Sequence, residues 1–227
     1  MSRRFRLFLG IIGGFVAFIA VVLLGVYLAA RQVPEFYSTA MDIPPAKLEE
    51  ASDRMLQQAT ALVGAVKQKG DWKALFTAEQ INGWLAVDLK KNHPDTLPPT
   101  LRDPRVAIEP TQITLACRVE REGTGSVLSL TVQPYVPEPN VVALRIVKAR
   151  VGLLPVPLQP VLDRFSQAAR AMQLHLEWRR SQGDPVAMIS LPANAEADQI
   201  MKVETLRLGD GEIYIAGSTQ SSTAKKD

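Results

Sequence analysis

The feature that most constrains this chain is an uninterrupted apolar run near its N-terminus. Residues 7–30 read LFLGIIGGFVAFIAVVLLGVYLAA and include no charged side chain. As a helix with a rise of about 1.5 Å per residue, the run would measure roughly 36 Å, longer than the roughly 30 Å of a bilayer's hydrocarbon core. The sequence therefore predicts a transmembrane helix over residues 7–30.

The charges beside this run predict its orientation. Arg3, Arg4 and Arg6 precede it, and Arg31 follows it. The positive-inside bias then predicts a single-pass protein of the cell membrane, with a cytoplasmic N-terminus and an extracytoplasmic C-terminal domain. A cleaved signal peptide is the alternative, but its apolar region is usually only about 7–15 residues long, which favours a retained signal-anchor.

The apolar run also holds a G-x-x-x-G pattern between Gly10 and Gly14. This spacing lets two membrane helices approach closely, so it is compatible with a helix-mediated dimer. Because glycine is common in membrane helices in any case, ordinary composition is the alternative interpretation.

The rest of the chain divides into segments by composition. We expect a cytoplasmic stub over residues 1–6, a tether over 31–43, an α+β domain over 44–217 and a disordered tail over 218–227. Removing the four flanking arginines from the 26 basic residues leaves 22, against 23 acidic residues. A nearly neutral domain gives no support for nucleic-acid binding, which needs a basic patch.

Three stretches have the apolar spacing of amphipathic helices. The first runs from Pro44 to Lys69. The second begins at a capping box of Thr77 and Gln80 and ends near His93. The third lies between Leu158 and Met172.

Between these helices, two kinds of stretch predict strands: those with an apolar residue at every second position, and those that are apolar on both faces. Ile113, Leu115, Cys117 and Val119 recur at every second position, which predicts one buried strand face and a buried free thiol at Cys117. Val141–Val151 is apolar on both faces and predicts a central strand. The expected fold class is α+β: the transmembrane helix, then a curved antiparallel sheet of about six to eight strands packed with three amphipathic helices.

The sequence holds no pattern typical of an active site. It has one cysteine and two histidines, without metal-ligand spacing. It has no G-x-S-x-G elbow and no phosphate-binding glycine loop. These observations favour a non-enzymatic protein with no catalytic residue, no cofactor and no metal.

Three short motifs are similar to a known family. Residues 76–85 read FTAEQINGWL, residues 151–157 read VGLLPVP, and residues 189–192 read ISLP. In this order they resemble the YpmS-like family of single-pass bacterial membrane proteins. The resemblance implies an extracytoplasmic domain on one N-terminal helix, working beside envelope lipid enzymes; it implies no catalytic residue.

Two functions from different classes follow as expectations. The first is a module that binds lipid or another apolar ligand in a groove between sheet and helices. The second is an envelope scaffold that positions a partner protein such as a lipid-acting enzyme. For the groove, large apolar side chains are the candidate lining, and plain core packing is their alternative role: Trp72, Phe76, Trp84, Leu154 and Phe165.

Overall fold

The fold is taken from a computed structural model. It describes residues 19, 21–121, 124–171, 174–192, 194–196 and 199–221. Everything below refers to these residues.

Five of the described helices lie within residues 21–92, and a sixth lies later in the chain. They are α1 (residues 21–30), α2 (Glu35–Met41), α3 (Pro45–Val66), α4 (Ala78–Ala86), α5 (Asp88–Asn92) and α6 (Gln159–Ala171), with a 3-10 turn at Pro94–Thr96. The strands are β1 (Gly70–Thr77), β2 (Leu101–Glu109), β3 (Gln112–Arg121), β4 (Thr124–Glu138), β5 (Val141–Val151), β6 (Leu154–Pro155), β7 (His175–Ser181), β8 (Asp184–Ser190), β9 (Asn194–Glu196), β10 (Gln199–Leu208) and β11 (Glu212–Ser221).

The strands form two antiparallel sheets. The smaller has the order β1-β11-β10-β9, so it joins the first strand to the last three. The larger has the order β2-β3-β4-β5-β8-β7, with β6 paired to β5. The α3–α4 helix pair packs against β1 and β2, at the side where the two sheets approach each other.

Local sequence signals place several of these elements correctly. The predicted first helix is confirmed as α3, and the capping box is confirmed at α4, where Thr77 and Gln80 each accept a hydrogen bond from the other's backbone N–H. The predicted central strand is confirmed as β5, which lies between β4 and β8. The predicted third helix is confirmed as α6.

The expected single sheet is wrong, because the strands divide into two. Trp72, Leu75 and Phe76 predict only a short apolar link between two helices, but this segment is strand β1. Trp72, Ala74 and Phe76 are buried, and the residues between them are exposed. The tail was also placed too early, since Ser218 and Thr219 belong to β11 and pair with β1 and β10. Residues 222–227 lie outside the described residues.

The predicted transmembrane helix is contradicted as well. Within the part of the chain that the structure describes, no helix is both long and apolar enough to cross a membrane. This finding overturns the single-pass, signal-anchor and membrane-location predictions and the membrane part of the fold class. Residues 1–18 and 20, which include the stub, the Gly10–Gly14 pattern and much of the predicted span, lie outside the described residues. The described helix α1 ends against the domain, where the Leu153 N–H donates to the Ala29 carbonyl at 2.9 Å.

The segment expected to be a tether contains helix α2, which covers part of the larger sheet. Tyr37 is 1% exposed and packs with Ala116 of β3 and Val127 of β4. The burial expected along β3 is therefore reversed at its centre: Ala116 is 1% exposed, whereas Leu115 on the opposite face is 44% exposed. Cys117 is half-buried rather than buried.

Two asparagine side chains serve as backbone partners for strands. The Asn82 amide, on α4, accepts from the Val106 N–H at 2.7 Å and donates to the Val106 carbonyl at 2.8 Å. Asn140, in the β4–β5 turn, accepts from the Val203 N–H and donates to the Met201 carbonyl, both at 2.7 Å. Asn82 thus joins α4 to the larger sheet, and Asn140 joins the two sheets.

The environment of Cys117 predicts a thiol that reacts slowly with alkylating reagents. Burial raises the pKa of Cys117 to about 11, which leaves little thiolate at neutral pH. We expect a maleimide to label the native protein slowly, to label it faster as pH rises toward 11, and to label denatured protein at once. Because the folded pKa lies above the unfolded one, this group's stabilising contribution is complete below about pH 9 and is lost as pH rises through the folded pKa. Fast labelling of the native protein at pH 7 would contradict this environment.

Candidate ligand-binding site

An apolar groove of about 400 Å³ lies where α3, the smaller sheet and the ends of β5 and β8 meet. We call it the apolar groove. All its lining side chains except one lysine are apolar: Leu62, Val63, Val66, Lys67, Trp72, Val142, Leu191, Met201, Val203, Leu206 and Ile215. Its volume lies within the range of roughly 300–1,000 Å³ that is usual for small-molecule pockets.

Secondary structure explains why these side chains converge. Leu62 and Val66 are four residues apart on α3 and therefore share a helix face. Across the smaller sheet, Ile215 is paired with Leu206, and both side chains point toward that face. Helix and sheet thus form opposite walls.

Trp72 is held in one position at the groove. Its indole N–H donates to the Thr219 hydroxyl at 3.2 Å, and that hydroxyl donates to the Val66 carbonyl at 2.8 Å. This chain ties β1 to β11 and to the end of α3. Gly217, opposite Trp72 in the strand pairing, leaves space for the indole ring, because a Cβ there would lie 2.5 Å from Trp72 Cζ2.

The structure does not bring the five predicted lining residues together. Trp72 alone among them lines the apolar groove. Phe76 is 6% exposed on the same face of β1. Trp84 lies on α4, with its ring centroid 6.1 Å from that of His93. Leu154 is in β6 and Phe165 in α6, both half-buried. Ligand contact at these positions stays a prediction.

Sequence reasoning missed most of the groove for an identifiable reason. Met201, Val203, Leu206 and Ile215 belong to strands that are more than 120 residues from α3 along the chain. In the sequence, Gly209-Asp210-Gly211 lies between Val203–Leu208 and Glu212–Ala216, a pattern that predicts a hairpin and therefore β10 and β11 as strands. Nothing local to them indicated that their apolar face would meet a distant helix.

A second cavity, of about 460 Å³, lies beside α4 and α5. We call it the proline-rich pocket. It is lined by apolar and charged side chains together: Leu85, Ala86, Leu89, Lys90, His93, Pro94, Leu97, Pro98, Pro99, Leu101, Arg102, Asp103, Pro104, Arg105 and Glu120. Unlike the apolar groove, it therefore combines apolar walls with charge.

Arg105 is the unusual member of this pocket, because it is only 5% exposed. Burial lowers the pKa of Arg105, while the charge of Asp103 opposes that shift. Tyr37, which donates to the Asp103 carbonyl at 2.9 Å, has its pKa raised chiefly by burial. These groups form a buried polar contact between α2 and β2.

Comparison with known proteins leaves the site to be judged on geometry. No protein-family model matches the chain, and no match is found among curated proteins or among solved structures. The resemblance to the YpmS-like family accordingly stays a prediction. Across the described residues, no group of three or more histidine, cysteine, aspartate or glutamate side chains is placed to hold a metal ion.

Proposed function

We propose that this protein binds a long apolar ligand, such as the acyl chain of a lipid, in the apolar groove and does no chemistry on it. The observation that carries the proposal is the lining, in which every side chain but Lys67 is apolar. Apolar pockets with few polar groups are typical binding sites for ligands with little polar surface.

The energetics favour an alkyl chain. Each buried methylene contributes about 0.8 kcal/mol, so eight of them contribute roughly 6 kcal/mol before the cost of association is subtracted. The fixed position of Trp72 supports such binding, because a wall that is already ordered loses little conformational entropy when a ligand enters.

The proposal is tested by a substitution that reduces the volume of the apolar groove without adding a charge. Leu62→Trp places a larger apolar side chain in the groove, whereas Leu56→Trp places the same side chain on the exposed part of α3, where Leu56 is 39% exposed. With 1-decanol as the probe and the full chain in calorimetry, we expect Leu62→Trp to weaken binding by about tenfold or more. Leu56→Trp should leave the affinity unchanged.

Thermal unfolding of both variants serves as the control for folding. Equal decanol affinity in wild type and Leu62→Trp would contradict the proposal, as would an absence of binding by the wild type. The scaffold hypothesis would then replace it, to be tested by crosslinking for a partner protein.

A further inference from the structure

Arg105 in the proline-rich pocket carries a buried positive charge. Among the described residues, no carboxylate forms an ion pair with it. A guanidinium has five N–H groups. In Arg105, Nε donates to the Ala40 carbonyl at 3.2 Å and Nη1 donates to the Pro104 carbonyl at 2.8 Å. No carboxylate of the described residues lies within 4.0 Å of its nitrogens.

The backbone around Arg105 has an irregular conformation that positions its side chain at the proline-rich pocket. The pairing of β2 with β3 shifts between Arg102 and Arg105, which forms a bulge, and Asp103 has a positive φ of 50°. Bulges redirect side chains and are common beside functional sites. Helix α2 stabilises this bulge, because the Tyr37 hydroxyl donates to the Asp103 carbonyl and the Ala40 carbonyl accepts from Arg105 Nε.

The charges around the pocket favour an anion. Three cationic side chains line it, from Lys90, Arg102 and Arg105, against the two carboxylates of Asp103 and Glu120. Arg102 and Glu120 pair with each other at 2.8 Å. One net positive charge remains from these groups. Leaving a buried charge without an ion partner is costly, and an incoming anion removes that cost.

We propose that the proline-rich pocket is a second ligand site, which binds a small organic monocarboxylate with an apolar body. Arg105 binds the carboxylate through its free N–H groups, since the planar guanidinium matches a carboxylate's geometry. The side chains of Leu85, Leu89 and Leu97 contact the apolar body. This inference does not depend on the apolar groove.

The test uses the full ¹⁵N-labelled chain and the indole N–H resonances of its tryptophans. Trp84 reports on this pocket through its contact with His93, which lines it, and Trp84→Phe assigns its resonance. We expect octanoate to shift the Trp84 resonance and to bind about tenfold or more tightly than 1-octanol, octylammonium or acetate. Equal affinity for any of those three, or tighter binding of octyl phosphate than of octanoate, would overturn the assignment.

Two substitutions test the role of Arg105 itself. Arg105→Gln should weaken octanoate binding by about tenfold or more and abolish the preference over 1-octanol. Arg150→Gln removes the same charge from an exposed strand residue outside the pocket and should change affinity by less than about threefold, as expected for a screened surface charge. Equal losses in both variants would contradict the proposal. If Arg105→Gln does not fold, the comparison of octanoate with the other ligands on the wild-type protein still tests the proposal.

Discussion

Replacing Gly83 by alanine is expected to destabilise the protein by about 3 kcal/mol, because α3 and α4 touch at this residue. A Cβ added to Gly83 would lie 2.6 Å from the Ser52 backbone nitrogen, 2.7 Å from the Leu48 carbonyl oxygen and 2.7 Å from the Ala51 Cβ. Two of these atoms are helix backbone, which cannot rotate away. The helices must therefore separate, and the contact of α4 with β2 through Asn82 is disturbed with them.

The matched control lies on α3 itself. A Cβ added at Gly64 meets no atom within 4 Å, and alanine favours helix over glycine, so Gly64→Ala should be neutral or stabilise by about 0.5–1 kcal/mol. In thermal unfolding, Gly83→Ala should lower Tm by roughly 6–12 °C. A Gly83→Ala protein as stable as the wild type would show that the helices are farther apart than described.

Replacing Asn140 by alanine is expected to cost about 3 kcal/mol as well, because it removes both side-chain hydrogen bonds that link the β4–β5 turn to β10. The substitution leaves the Val203 N–H and the Met201 carbonyl without their side-chain partner, and each unpaired part-buried group costs about 1–3 kcal/mol. Asn140 also has a φ of 64°, a conformation that costs alanine about 1 kcal/mol.

Two further variants separate these causes. Asn140→Gly keeps the backbone conformation accessible and loses only the two hydrogen bonds, so it should be less damaging than alanine. Asn140→Asp can still accept from Val203 but turns an oxygen toward the Met201 carbonyl. Denaturant unfolding measures all three. Equal stability of the alanine variant and the wild type would contradict the role of Asn140 as a joint between the sheets.

Features that depend on residues close together in the sequence could be predicted, whereas features that depend on residues far apart in the sequence could not. The Thr77 capping box, the apolar stripe of α3 and the Gly209–Gly211 hairpin depend on residues only a few positions apart, and all three were predicted from the sequence. The division into two sheets depends on β1 pairing with β11, which are more than 130 residues apart. No local pattern specifies such a pairing.

The same reasoning explains what was missed at the two sites. Trp72 was selected for its size, but its groove is completed by β10 and β11, which fold back from the far end of the chain. No local pattern in the sequence distinguishes Arg105 from the other charged residues. Its side chain is positioned by the bulge at Asp103 and by α2, a helix within the segment for which the sequence predicts a tether. The apolar run over residues 7–30 predicted a membrane span, which the described helices contradict.

The most direct test of apolar-ligand binding is the response of the Trp72 indole N–H to 1-decanol in the full-length protein. Trp72 lines the apolar groove and its N–H is fixed by Thr219, so a bound chain must change its surroundings. Binding of decanol in the apolar groove should give a saturable shift of the Trp72 resonance that is lost in Leu62→Trp and retained in Leu56→Trp. A Trp72 resonance that does not move while decanol is titrated to its solubility limit would contradict it.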